Sequence, residues 1–243
     1  NQGRTEEAKE HFLLALRIKP NFEEAHNNLG NALNNQGRTE EAKEHYFRVL
    51  QRNPDSEEAH NNLGNVLLNQ GRTEEAIEHY LLALRIKPDF EEVHNNLGNA
   101  LNNQGRTEEA IEHYLRALQI NPDFEDAHIN LGLALHNQGR TEGAKEHFLL
   151  ALRINPDSEK AHYNLGLALN NQGHTEEAIE HYLSALQINP DFEEAHNNLA
   201  ISLFLKGYTE RAIAHFRKAL QINPDYVPAI NNLKRALMEQ QKK

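Results

Sequence analysis

The chain has 243 residues, no cysteine, and a formal net charge of -11 with histidine neutral. This excludes a disulfide framework, a thiolate metal site and a cysteine nucleophile. It also argues against nucleic acid as the main partner, because phosphate binding needs a basic face.

The chain opens on NQGRTEEA at Asn1, and the string returns, lightly edited, at Asn35, Asn69, Asn103, Asn137 and Asn171, a step of 34 residues. A fixed period of this length is the signature of stacked supersecondary units. Residues 1–22 read as the second helix of a truncated repeat. Its apolar Phe12, Leu13, Leu16 and Ile18 lack a preceding partner, and stacked repeats need polar ends. The chain therefore reads as a fragment of a longer protein, open to end-to-end self-association.

Residues 23–56 form the first complete unit. Ala25, Leu29, Ala32 and Leu33 lie on one stripe and predict a helix, here called A. Gly37 supplies a left-handed residue to end it. Thr39 is placed to cap a second helix, B, with Glu40 and Glu41 in its first turn, where the dipole favours negative charge. Helix B carries Ala42, Tyr46, Phe47, Val49 and Leu50. Pro54 stops it. The unit recurs over 57–90, 91–124, 125–158, 159–192 and 193–226. Residues 227–243, with Lys234, Arg235, Glu239, Gln240, Gln241, Lys242 and Lys243, read as a solvating C-terminal helix. Gly30 with Ala42, and their equivalents Gly64 with Ala76, Gly98 with Ala110 and Gly132 with Ala144, put a small residue on each helix. A glycine inside a helix costs about 1 kcal/mol against alanine, so close approach of A and B is the expected return.

In the second full unit the pattern is Leu63-Gly64, Leu67, Ala76, Tyr80, Ala83 and Pro88. It resembles the tetratricopeptide repeat, and the resemblance covers essentially the whole chain. One departure is histidine at the family's early helix A aromatic: His26, His60, His94, His128, His162 and His196. The resemblance implies an all-α fold, an α-solenoid of antiparallel helix pairs in a right-handed superhelix of about one turn, with helix A on the concave side. It further implies a scaffold for protein interactions and no enzyme.

On helix A, the face beside the packing stripe holds Asn27, Asn28, Asn31, Asn34 and Asn35. Asparagine loses roughly 0.6 kcal/mol per site against alanine in a helix. One column is unbroken: Asn28, Asn62, Asn96, Asn130, Asn164, Asn198 and Asn232. A primary amide both donates and accepts, which matches the peptide unit. The column resembles the asparagine ladder in the tetratricopeptide superhelix of O-GlcNAc transferase, which grips extended polypeptide. The alternative is that these amides bond to neighbouring helices. Asn31, Asn65 and Asn99 flank the column in the early repeats. From the fourth repeat the flanking positions turn apolar, at Ile129, Leu133, Tyr163, Leu167, Ile201, Phe204 and Leu205. With helix A facing inward these residues are expected to form an exposed patch, the usual mark of a binding surface. The basic clamp by which some relatives hold chaperone tails is missing, since its positions are Asn27, Asn61, Asn95, Ile129, Tyr163 and Asn197.

The expected partner is thus a protein or peptide segment in the concave groove. The alternative is that the chain is the substrate-recruiting arm of a larger glycosyltransferase, a weaker likeness carried by residues 193–243. No cofactor, nucleic acid or direct membrane contact is expected. A cytoplasmic location is favoured over an extracytoplasmic one. A second histidine column, His11, His45, His79, His113, His147, His181 and His215, runs along helix B. Successive members of one column lie roughly 10 Å apart, too far to share an ion. Packing is their expected role, with lower stability near pH 5 if the rings are partly buried.

Overall fold

The computed structural model describes residues 2–241, with side chains from Glu6 onward, and among these every regular element is helical. They form two compact units, Asn1–Pro122 and Asp123–Lys243, and the division falls in the loop that leads from repeat 91–124 to repeat 125–158. The first unit contains α1 (Gln2–Ile18), α2 (Glu23–Asn35), α3 (Thr39–Arg52), α4 (Glu57–Asn69), α5 (Thr73–Ile86), α6 (Glu91–Asn103) and α7 (Thr107–Ile120). The second contains α8 (Glu125–Asn137), α9 (Thr141–Ile154), α10 (Glu159–Asn171), α11 (Thr175–Ile188), α12 (Glu193–Leu205), α13 (Thr209–Ile222) and α14 (Val227–Gln240). From α2 on, A and B helices alternate, and within each unit each repeat packs on its neighbours.

The A helices end on glycine. Gly37 has φ 76°, and its equivalents are also left-handed. The Arg38 amide donates to Leu33 O at 3.0 Å and the Gly37 amide to Asn34 O at 2.9 Å. These two bonds close a Schellman turn. Helix B starts differently from expectation. Thr39 is its first residue, and no side chain caps it. Instead Arg38 folds onto Glu41 through Nε and Nη2, both at 2.6 Å. Arg72–Glu75 and Arg106–Glu109 repeat this clamp. Side-chain caps occur on helix A where serine precedes it: the Ser56 and Ser158 hydroxyls accept from Ala59 and Ala161.

The core of the hairpins from α2/α3 to α10/α11 is an aromatic ring against glycine; in α12/α13 the glycine is replaced by the buried Ala200. Tyr46, Tyr80 and Tyr114 are buried on α3, α5 and α7. A Cβ at Gly30, Gly64 or Gly98 would stand 2.5–2.6 Å from Cε1 of the ring, so the helices have closed to a distance that only glycine permits. In the second unit Gly132 and Gly166 meet Phe148 and Tyr182 in the same way. On α14 the equivalent position carries Lys234, which is exposed.

Candidate functional site

The amides of helix A divide by layer. Asn27, Asn61, Asn95 and Asn197 are buried, whereas the unbroken column is partly exposed at Asn28, Asn62, Asn96, Asn130, Asn198 and Asn232. Asn164 is the buried member. Amide–amide bonds join these layers across repeats. Asn96 Nδ2 donates to Asn61 Oδ1, and Asn232 Nδ2 to Asn197 Oδ1, both at 3.0 Å. Asn198 Nδ2 donates to the Tyr163 hydroxyl at 2.9 Å. The same step between Asn62 and Asn27 is open, leaving Asn62 Nδ2 and Asn27 Oδ1 buried without a partner. Part of the asparagine cost is therefore offset by bonds between repeats, the alternative weighed for this column.

Asn31, Asn65 and Asn99 have a different task. Their Oδ1 atoms accept from the hydroxyls of Tyr46, Tyr80 and Tyr114 at 2.6, 2.7 and 2.8 Å. Burial raises these phenols above their usual range, because the charged form loses its water. The second unit changes both members of the pair. Leu133 accompanies Phe148, and Ile201 accompanies Phe216. The repeat between them combines Leu167 with Tyr182. The Tyr182 ring is fully buried, and its hydroxyl has no hydrogen-bond partner.

The apolar positions are not one exposed patch. Ile129 is 4% exposed and packs with Ala151, Ala161, Leu133 and Leu152. It stands where the first unit has the buried Asn27 layer, so a hydrocarbon there joins the core. Leu133, Tyr163, Leu167, Ile201 and Phe204 are half-buried, and Leu205 is exposed. Tyr163 lies 4.8 Å from the Phe192 ring and 6.1 Å from the Tyr182 ring. Burial, with Glu194 nearby, pushes its hydroxyl up to about 12.

Three features had no counterpart in the sequence reading. The first is the coupling of the Asn31 position to the Tyr46 position, which shows in the sequence only as Asn with Tyr and Leu or Ile with Phe, Leu167 with Tyr182 being the exception. The second is an exposed apolar position on helix B. It is filled by Phe47, Leu81 and Leu115 in the first unit and by Leu149 and Leu183 in the second. The third is histidine pairing. Each A histidine meets the B histidine of its own repeat through Nδ1 atoms 2.7–3.0 Å apart: His26 with His45, His60 with His79, and so on to His196 with His215. Nε2 of His26, His60, His94, His162 and His196 faces a proline carbonyl at 3.0–3.2 Å. A carbonyl only accepts, so these rings carry their proton on Nε2, and their Nδ1 accepts from the B ring. Among the described residues no three His, Cys, Asp or Glu side chains are grouped to hold a metal ion. No helix there is long and apolar enough to cross a membrane.

Family models match along nearly all of this repeat ladder. One described as TPR repeat covers residues 1–37, 64–105, 98–139 and 136–173. Others described as tetratricopeptide repeat cover 23–56, 45–78, 159–192 and 193–226. The chain belongs to the tetratricopeptide repeat family. Its fold is the tetratricopeptide solenoid, a scaffold for protein interactions. No curated protein matches the chain. Among solved structures it is similar to a chain of the APC/C hetero-tetramer Cut9–Hcn1, at TM-score 0.89 and 20% identity over 97% of this chain. The tetratricopeptide chain spans 47% of that one, about half its length. It is also similar to PilF of Pseudomonas aeruginosa, at TM-score 0.78 and 24% identity over 91% of this chain and 97% of the other. YrrB, described as a TPR protein with an unusual peptide-binding site, matches at TM-score 0.60 and 22% identity over 78% of this chain and 97% of its own. At these identities the likeness establishes the fold alone.

Proposed function

We propose that the helix A face of these repeats holds an extended segment of a partner protein. The observation that carries this is the direction of the asparagine amides. Asn96 and Asn232 spend Nδ2 on the preceding repeat. Their partly exposed side chains keep Oδ1 as an acceptor for a peptide N–H. A peptide main chain needs such acceptors at regular intervals and offers carbonyls in return. One repeat, at 8–10 Å between packed helices, spans about three extended residues. In the second unit Leu133, Leu167, Ile201 and Phe204 stand beside the column, so this part of the face also takes apolar side chains. The peptide-binding description of YrrB concerns another protein and agrees with the reading in kind.

An arrayed library of random peptides, probed with the chain, provides the test. Asn62→Ala combined with Asn96→Ala is expected to weaken captured peptides by about tenfold, a loss of about 1.4 kcal/mol, while the far-ultraviolet spectrum stays helical. Equal affinity for variant and wild type, or no capture by the wild type, would reject the reading.

A further inference from the structure

The Tyr182 hydroxyl breaks a rule that the other repeats keep. Where helix B carries tyrosine in the first unit, helix A supplies an amide oxygen to it. Where helix A turns apolar at Leu133 and Ile201, helix B drops the hydroxyl and carries Phe148 and Phe216. In α10 and α11 the acceptor is gone, because Leu167 replaces it, yet the hydroxyl remains. It is buried and unpartnered, a condition that native proteins generally avoid. Violations of a local rule that the rest of a chain obeys concentrate at functional positions.

The surroundings define what would complete it. Tyr163 lies against the Tyr182 ring at 6.1 Å between centroids. Its own hydroxyl accepts from Asn198 Nδ2 at 2.9 Å and makes no hydrogen bond to the Tyr182 hydroxyl. Leu167 fills the place taken in the first unit by the accepting amide, and it is half-buried, at the boundary with solvent. A turn of the Leu167 side chain would open that place to solvent. A ligand arriving there meets a phenol O–H next to apolar Leu167 and the Tyr163 ring. The complementary group is a neutral acceptor attached to an apolar body, and a peptide carbonyl beside an apolar side chain has both. Glu194, which faces Tyr163 and Tyr226, disfavours a carboxylate in that role.

We propose that Tyr182 is a hydrogen-bonding residue of a peptide subsite bounded by Tyr163, Leu167 and Asn198. It donates to a main-chain carbonyl of an extended partner segment whose adjacent apolar side chain displaces Leu167. This rests on the peptide-binding reading above and adds a position and a side-chain class to it.

The test uses the whole chain and the same peptide array, followed by titration of captured peptides by fluorescence anisotropy. Tyr182→Phe is expected to weaken them by about tenfold without lowering the melting temperature, because no internal bond is lost. Tyr114→Phe, which does lose one, is expected to lower it. Leu167→Asn is expected to weaken the same peptides by giving the hydroxyl an internal acceptor, and captured sequences are expected to share an apolar residue. Unchanged affinity in Tyr182→Phe overturns the subsite, as does a fall in its melting temperature equal to that of Tyr114→Phe. If peptides are captured and depend on Asn62 and Asn96 but not on Tyr182, only the subsite fails. If the wild type captures none, both readings fail.

Discussion

Tyr80 and Tyr182 occupy equivalent positions in two repeats with opposite hydrogen-bond outcomes. The Tyr80 hydroxyl gives its proton to Asn65 at 2.7 Å, and Tyr182 has no taker. Removing the acceptor from the first pair leaves a buried group unsatisfied, at a cost of about 1–3 kcal/mol. Asn65→Ala is expected to lose that much in urea unfolding. Adding an acceptor to the second reverses the sign: Leu167→Asn is expected to gain about 1 kcal/mol. A loss in Leu167→Asn comparable to that in Asn65→Ala would mean that Leu167 packing outweighs the bond. The sequence displayed this contrast only as Asn65 against Leu167 on helix A, because helix B carries tyrosine in both repeats. Tyrosine fits an apolar stripe as well as phenylalanine does, so periodicity could not register the hydroxyl. For the same reason Ile129 read as a surface residue. One step around a helix separates the buried layer of Asn27 from the half-exposed layer of Asn28, and an amide in the buried layer looks like a wet face until its partner across the repeat is known.

At the scale of the element, the helical hairpin was almost entirely legible, because each boundary has a local chemical cause. Glycine ends helix A, proline follows helix B, and the apolar stripes between them have helical spacing. The start of helix B was less so. Thr39 carries a capping side chain, but the clamp from Arg38 to Glu41 uses the first turn instead. Two glycines in adjacent repeats separate conformation from space. Gly71 has φ 75° and open space around a notional Cβ. Gly71→Ala therefore pays only for the left-handed backbone, and we expect a loss of about 1–2 kcal/mol. Gly98 is helical, and its Cβ would stand 2.5 Å from Tyr114 Cε1. There the helix-propensity gain of about 1 kcal/mol opposes an overpacking cost of about 1–3 kcal/mol. We expect Gly98→Ala to be net destabilising, with a perturbed tyrosine signal in near-ultraviolet circular dichroism. Gly71→Ala is expected to leave that signal unchanged.

Across the whole molecule the histidine pairs act together. Within each unit stability is close to a sum of repeat and neighbour terms, so a small effect repeated in every hairpin accumulates. In the pairs whose A ring faces a proline carbonyl the B ring donates from Nδ1 to the A ring, and a second proton on any pair puts two donors face to face. Burial lowers the B rings first, and the partner ring adds to it. His45, His147 and His215 fall to about 4, and His79, His113 and His181 also fall. Arg48 and Arg211 push the same way, whereas Glu41, Glu75, Glu109 and Glu177 oppose it. A histidine lowered in the folded state binds fewer protons than the unfolded chain between its folded value and 6.5. Stability is therefore complete above 6.5 and falls as pH drops toward about 4. The salt-bridged glutamates, held below 4.5, lose their contribution only under more acidic conditions, so the interval from 6.5 to 5 belongs to histidine. At 2–4 °C per kcal/mol for a chain of this size, and a fraction of a kcal/mol per pair, the melting temperature is expected to drop by about 10 °C across that interval. Glutamine at all six paired B positions retains a donor to the A ring without a titrating group. That variant is expected to melt at nearly the same temperature at pH 6.5 and pH 5. A wild type equally insensitive would show that the pairs accept their protons without opening.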